Sequence, residues 1–223
     1  MKAEELFREV DEELQRDKLV ALWKRWGGLA VGVVLLLVLA GVGWQGWQWW
    51  QHRQATEAAR GFAAAEQLLA GGKPAEAAAA FSAFAEDAPA GFAALARLQA
   101  ATAALEAGDR KAAGAALETL AGDEGADPML RDLAVVLGAS LEVDEAPPAG
   151  IIARLEPLAT ETGAWRHLAR ELIAAAALRA GERSRAVEAL EAMRGDAQTP
   201  RAARERADEL LRALGAEPTR TAS

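Results

Sequence analysis

The sequence predicts an all-α protein: one N-terminal transmembrane helix, then a solenoid of about four helical hairpins closed by a capping helix. Three observations predict it. Residues 26–51 carry no charge. A turn with leucine three residues ahead of a glycine, and alanine about five residues beyond it, recurs along the rest of the chain. The composition is 52% hydrophobic and rich in alanine, yet only 5% aromatic, which suits closely packed helices better than a sheet.

The chain opens with a leader over residues 1–25. Glu4–Arg8 and Glu12–Arg16 are acid-first i,i+4 pairs, which favour a helix. Leu6, Phe7, Val10 and Leu14 give it a short apolar stripe.

The charge-free run 26–51 follows. About 20 helical residues cross a hydrocarbon core of about 30 Å. Trp23 and Trp26 lie at one end of the run, and Trp44, Trp47, Trp49 and Trp50 at the other. Indole rings favour the headgroup zone, so the two clusters read as two aromatic belts. Bulky Trp44-Gln45-Gly46-Trp47 is a poor processing site, so the segment is expected to stay as an anchor rather than leave as a signal peptide. Arg16, Lys18, Lys24 and Arg25 precede it, while only Arg53 and Arg60 follow at similar distance. The N-terminus is therefore expected in the cytoplasm and the remainder on the far side, the periplasm of a Gram-negative bacterium. Gly28 and Gly32, with Ala40 on the same face, form a small-residue pattern that would let another membrane helix approach.

Residues 52–214 are expected to form the repeat domain. The turns are Leu69-Ala70-Gly71-Gly72, Leu105-Glu106-Ala107-Gly108 and Leu178-Arg179-Ala180-Gly181. Gly72 to Gly108 is 36 residues and Gly108 to Gly181 is 73, so a turn without its glycine is expected near 144, at Val143-Asp144-Glu145-Ala146-Pro147-Pro148. The turn glycine caps the first helix of each pair in a left-handed conformation, and the second folds back. A second punctuation falls at Asp87-Ala88-Pro89, Gly125-Ala126-Asp127-Pro128 and Glu161-Thr162-Gly163. The A helices are predicted at 56–71, 91–107, 128–142 and 164–180, and the B helices at 74–86, 110–121, 148–160 and 183–194. Ala112 is expected in a helix–helix seam. A last helix over 200–214 is expected to take Thr199 as its cap and to turn Ala203, Ala207, Leu210, Leu211 and Leu214 inward. Residues 215–223 are expected to be a disordered tail.

The L-x-x-G-x-x-x-x-A turn with its 36-residue period resembles tetratricopeptide repeats. The leader Phe7-Arg8-Glu9-Val10-Asp11-Glu12-Glu13-Leu14, then Asp17-Lys18-Leu19 and Leu22-Trp23-Lys24-Arg25 ahead of the anchor, resembles bacterial membrane-anchored tetratricopeptide proteins grouped with the ancillary subunit of the SecYEG translocon. That resemblance implies a protein-binding adaptor with translocon subunits, periplasmic chaperones or exported chains as partners. A scaffold for another envelope complex, such as cell division or outer-membrane assembly, is the alternative.

The sequence offers little chemistry. A net charge of −8 without a basic stripe argues against nucleic acid. There is no cysteine, no phosphate-binding glycine loop and no serine-nucleophile elbow. His167 and Glu171 are i,i+4 but lack a third metal ligand, and His52 stands at the membrane boundary. No enzyme activity, cofactor, metal or small-molecule substrate is expected. Repeat proteins that clamp a peptide's terminal carboxylate use asparagine, which this chain lacks. If peptides bind, they are expected on the apolar concave face that bears Arg97, Arg131, Arg166 and Arg170; taken singly, each of these arginines is expected to be an ordinary solvated charge.

Overall fold

The computed structural model describes residues 36, 39–50, 53 and 55–216. The leader, Gly28, Gly32, His52 and the tail 217–223 lie outside the described residues, as does much of the expected anchor. The chain divides into two compact units, Met1–Thr56 and Glu57–Ser223.

In the first unit, residues 39–50 are helical. Leu36, Leu39, Val42, Trp44, Trp47, Trp49 and Trp50 are 48–69% exposed. Trp47 and Trp50 stack at 5.5 Å between ring centroids, and the Arg53 guanidinium lies 4.1 Å above the Trp49 ring. Among the described residues no helix is long and apolar enough to cross a membrane.

The second unit is helical throughout, with no strand among its described residues. Residues 55–70 are helical, and α1 denotes the part of that helix within this unit, 57–70. It is followed by α2 (Pro74–Asp87), α3 (Ala90–Glu106), α4 (Arg110–Ala121), α5 (Pro128–Glu142), α6 (Pro148–Leu155, continued by a 3-10 turn Glu156–Leu158), α7 (Arg166–Arg179), α8 (Arg183–Gly195) and α9 (Arg201–Ala213). Successive helices pack on one another, and α5 also touches α7. The predicted arrangement of four pairs and a last helix is present, with α1, α3, α5 and α7 as A helices.

The turns explain the pairing. Gly72, Gly108 and Gly181 have φ of 72°, 80° and 76°. Each closes a Schellman motif in which the following N–H reaches back five residues: Lys73 to Leu68 O at 3.0 Å, Asp109 to Ala104 O at 2.8 Å and Glu182 to Ala177 O at 2.8 Å. Gly215 closes α9 in the same way, with Ala216 N–H donating to Leu211 O at 2.9 Å. Prolines at the first helical position start α2, α5 and α6, and the Asp109 and Asp127 carboxylates cap α4 and α5.

The turn at 143–147 does lack its glycine, and arginines from both neighbouring pairs replace it. Arg110 of α4 donates to Leu141 O at 2.5 Å. Arg179 of α7 donates to Val143 O and to Ala146 O. The turn carbonyls Leu141, Val143 and Ala146 thus accept from arginine side chains, while Glu142 O accepts from the backbone N–H groups of Glu145 and Ala146.

Several expectations fail, most of them by about one residue. Ala112 is exposed, and Ala113, at 0% exposure, occupies the seam; one helical residue is a rotation of about 100°. Thr199 does not cap α9. Pro200 is the N-cap residue, no side chain caps the helix, and the buried Thr199 hydroxyl has no partner among the described residues. Leu210 is 38% exposed, whereas Ala203, Ala207 and Leu211 are buried. The third B helix ends at Leu155 rather than 160, because Pro157 supplies no N–H to continue the α-helical ladder. At the next boundary Gly163 is required: a Cβ there would stand 2.3 Å from Leu158 O.

Candidate protein-binding surface

A solenoid that binds proteins needs an accessible apolar face carried by equivalent helices. In the second unit, every large apolar side chain that is strongly exposed lies on an A helix or on α9. These are Leu95 and Leu105 of α3, Met129 of α5, Leu178 of α7 and Leu210 of α9; none is on a B helix. Leu105 and Leu178 are the leucines three residues ahead of the turn glycine; the equivalent Leu69 of the first repeat is half-buried and packs against the core. The A helices also connect along the array. Trp165 Nε1 donates to Met129 O at 2.9 Å, and Arg206 of α9 grips Glu171 of α7 through two bonds of 2.8 Å. That grip raises the Arg206 pKa above its ordinary value.

The structure separates the four A-helix arginines. Arg97 ion-pairs with Asp123, just beyond the end of α4. Arg170 ion-pairs with Asp196, just beyond the end of α8, at 3.3 Å. Arg97 and Arg170 are 73 residues apart, and so are Asp123 and Asp196. The same clasp therefore recurs two repeats apart, tying an A helix to the end of its own B helix. The third repeat has Leu133 and Ala159 in these positions. The first keeps Asp87 but has Gly61 opposite, where a Cβ would stand 2.7 Å from the Phe84 ring.

Arg166 joins the second clasp. Its Nε donates to Asp196 at 2.5 Å, Nη2 to Gln198 at 2.8 Å and Nη1 to Gly163 O at 3.0 Å. Arg170 also donates to Ala159 O and Ala192 O. Both arginines are only 9% exposed, so the expectation of solvated charge fails for them. They line a cleft of about 530 Å³ with Glu161, Asp196 and Gln198. The hydrogen bond from Arg166, then that from the Gln198 N–H and the two guanidinium charges, hold the Asp196 carboxyl well below the usual carboxylate range, against the opposing effect of burial. Asp196 in turn raises Arg166.

Arg131 differs. It lies in the first turn of α5, is half-buried, and makes no side-chain hydrogen bond or ion pair among the described residues. It stands 36 residues after the exposed Leu95 and 37 before the half-buried Leu168, in the same place relative to the turn. Arg131 is thus the arginine that takes the repeat position held by Leu95 and Leu168. Sequence reasoning grouped all four and missed their acidic partners. The signal was the common separation of 26 between Arg97 and Asp123 and between Arg170 and Asp196.

Among the described residues no three acidic or histidine side chains are placed to hold a metal ion. Glu171, the neighbour of His167, is committed to Arg206.

Paired helices, left-handed glycine turns and a 36-residue period agree with the family that matches. The model of the tetratricopeptide repeat-like domain matches residues 21–212. The chain belongs to that family. No curated protein and no solved structure matches it. Tetratricopeptide repeat-like domains are in general non-catalytic protein-interaction modules, and the exposed apolar side chains on the A helices of this one suit an adaptor.

Proposed function

We propose that this tetratricopeptide repeat-like protein is a membrane-anchored adaptor at the protein-export machinery of a bacterium. In this reading residues 26–51 span the inner membrane and the N-terminus stays cytoplasmic. The helical pairs stand in the periplasm, where they meet translocon subunits, periplasmic chaperones or exported chains. The observation that carries the adaptor reading is the confinement of large exposed apolar side chains to the A helices and α9.

The membrane reading draws on the charge-free run, its tryptophans and the excess of basic residues ahead of it. The exposed Trp44, Trp47, Trp49 and Trp50 suit headgroups, with Arg53 beside them to meet phosphate. The family match begins at residue 21, so it takes in this segment together with the repeats. The translocon reading draws on the resemblance of the leader.

Photocrosslinkers placed in living cells at leader and anchor positions test it. Translocon subunits or export chaperones among the trapped proteins are the expected result. Division or outer-membrane assembly proteins instead would move the adaptor to another envelope complex. A C-terminal reporter active only in the cytosol, or a mature chain beginning after Trp50, would overturn the topology.

A further inference from the structure

Two devices tie an A helix to its own B helix in this array: the left-handed glycine turn at one end and the arginine–aspartate clasp at the other. The second and fourth pairs have both, Gly108 with Arg97–Asp123 and Gly181 with Arg170–Asp196. The first has Gly72 and, in place of the clasp, a group of aromatic rings: Phe62 of α1 stands 5.1 and 6.2 Å from Phe81 and Phe84 of α2 between centroids. The third pair, α5 and α6, has neither device. No residue of its turn has a positive φ, and Leu133 and Ala159 stand at the clasp positions. Helix α6 is also short, with eight residues. Beside the pair, Leu117 of α4, Val135, Gly138 and Glu142 of α5 and Arg154 of α6 line a cleft of about 240 Å³. Helix α5 is shared between two cores. Ala134, with the half-buried Leu130, Leu137 and Leu141, packs in the cluster of α3 and α4, and Val136 and Ala139 pack in that of α6–α9.

We propose that the α5–α6 junction is a joint, about which α1–α5 and α6–α9 move as two bodies. Besides the apolar contacts of α5 with the core of α6–α9, the bonds that span it lie at the surface. Arg154 of α6 pairs with Glu142 of α5 at 2.5 Å, each side chain being 45% exposed. The exposed Arg179 of α7 donates to Val143 O and Ala146 O in the turn. Trp165 Nε1, ahead of α7, donates to Met129 O in the first turn of α5. Water competes for each of these contacts, so they set a resting angle that a buried clasp would have fixed. In a repeat array each pair meets only its neighbours, so one loose pair leaves the stacks on either side intact. A bend there opens or closes the cleft and changes the distance between Leu95 and Leu178, the exposed leucines on either side.

The chain has no cysteine, so pairs of introduced cysteines carry spin labels without background. In the full chain in lipid nanodiscs, three pairs of exposed positions are compared: Gln67 with Lys111 within α1–α5, Ala153 with Glu209 within α6–α9, and Lys111 with Glu188 across the joint. Pulsed dipolar spectroscopy is expected to give a broader distance distribution for the pair across the joint than for either pair within one body. Arg179→Gln should broaden it further. Leu133→Arg/Ala159→Asp, which installs the clasp at its repeat positions, should narrow it, and neither change should alter the other two pairs. Equal breadth for the three pairs in the otherwise unaltered chain would overturn the joint, and that comparison needs no further variant to fold. A broad Lys111–Glu188 distribution that responds to neither Arg179→Gln nor the installed clasp would overturn its assignment to the α5–α6 junction.

Discussion

The two halves of the repeat unit reach the same architecture by different packing. In α1–α4 the core is alanine with few large residues. One cluster holds Ala65, Ala77, Ala85, Ala93, Ala96, Ala100 and Ala103 around the buried Phe81, with the half-buried Phe62 and Phe84 packed against it, and the next adds Leu117 and Leu120 to more alanines. Helix α3 buries seven alanines. In α5–α9 the buried alanines are joined by more large residues, Val136, Ile151, Ile152, Leu155, Ile173, Leu190, Met193 and Leu211, and a buried charge cluster of Arg166, Asp196 and Arg170 clamps its last pair. In the alanine seams stability depends on close approach of backbones, so enlargement is the threat. In the aliphatic half it depends on filled volume and satisfied charge, so truncation is the threat.

The largest expected effect is in the second half. Leu190, at 0% exposure, becomes a cavity on substitution, and Leu190→Ala should lower unfolding free energy by about 2–5 kcal/mol in chemical denaturation. Asp196→Ala comes next, at about 2–4 kcal/mol, because it leaves two mostly buried guanidinium groups unpaired. Its acid dependence carries a sign. The folded carboxyl is depressed, so its stabilisation is complete above the ordinary Asp pKa of about 3.9 and is lost as pH falls toward the folded value. The melting temperature of Asp196→Asn should therefore fall less steeply than that of the wild type below about pH 4. Parallel curves would mean that the cluster does not hold Asp196 as its geometry indicates.

The alanine half should respond to the opposite change. Ala103, at 0% exposure, has no room, and Ala103→Leu should cost about 1–3 kcal/mol. The smallest effect is expected at the exposed Ala112, where Ala112→Trp should stay within about 0.5 kcal/mol. A large loss there, with Ala103→Leu silent, would place the seam on the wrong side of the helices.

The repeat was legible in the sequence because its punctuation is chemical. Left-handed turns need glycine, so Gly72, Gly108 and Gly181 announced three of them and their spacing located the fourth. The boundaries of α4 and α5 were readable for the same reason, since Asp109 and Asp127 cap them ahead of Arg110 and Pro128. Facing within α4 was readable but missed: Ala113 stands four and seven residues before Leu117 and Leu120, which are buried with it, whereas Ala112 is rotated by about 100° from that line. The arginines were misread as solvated because charge alone does not reveal a partner 26 residues away. Only the recurrence of that separation does, and it is broken in the third repeat by Leu133 and Ala159.

The central claim is that the A-helix layer meets the partner. The most direct measurement places a photocrosslinking residue, one site at a time, in the full chain in cells: at Leu95 and Leu178 on A helices, and at Lys111 and Glu188, which are exposed on B helices. The account predicts the same protein adduct from Leu95 and Leu178 and none from Lys111 or Glu188. Adducts only from Lys111 and Glu188, or equally from all four sites, would contradict it.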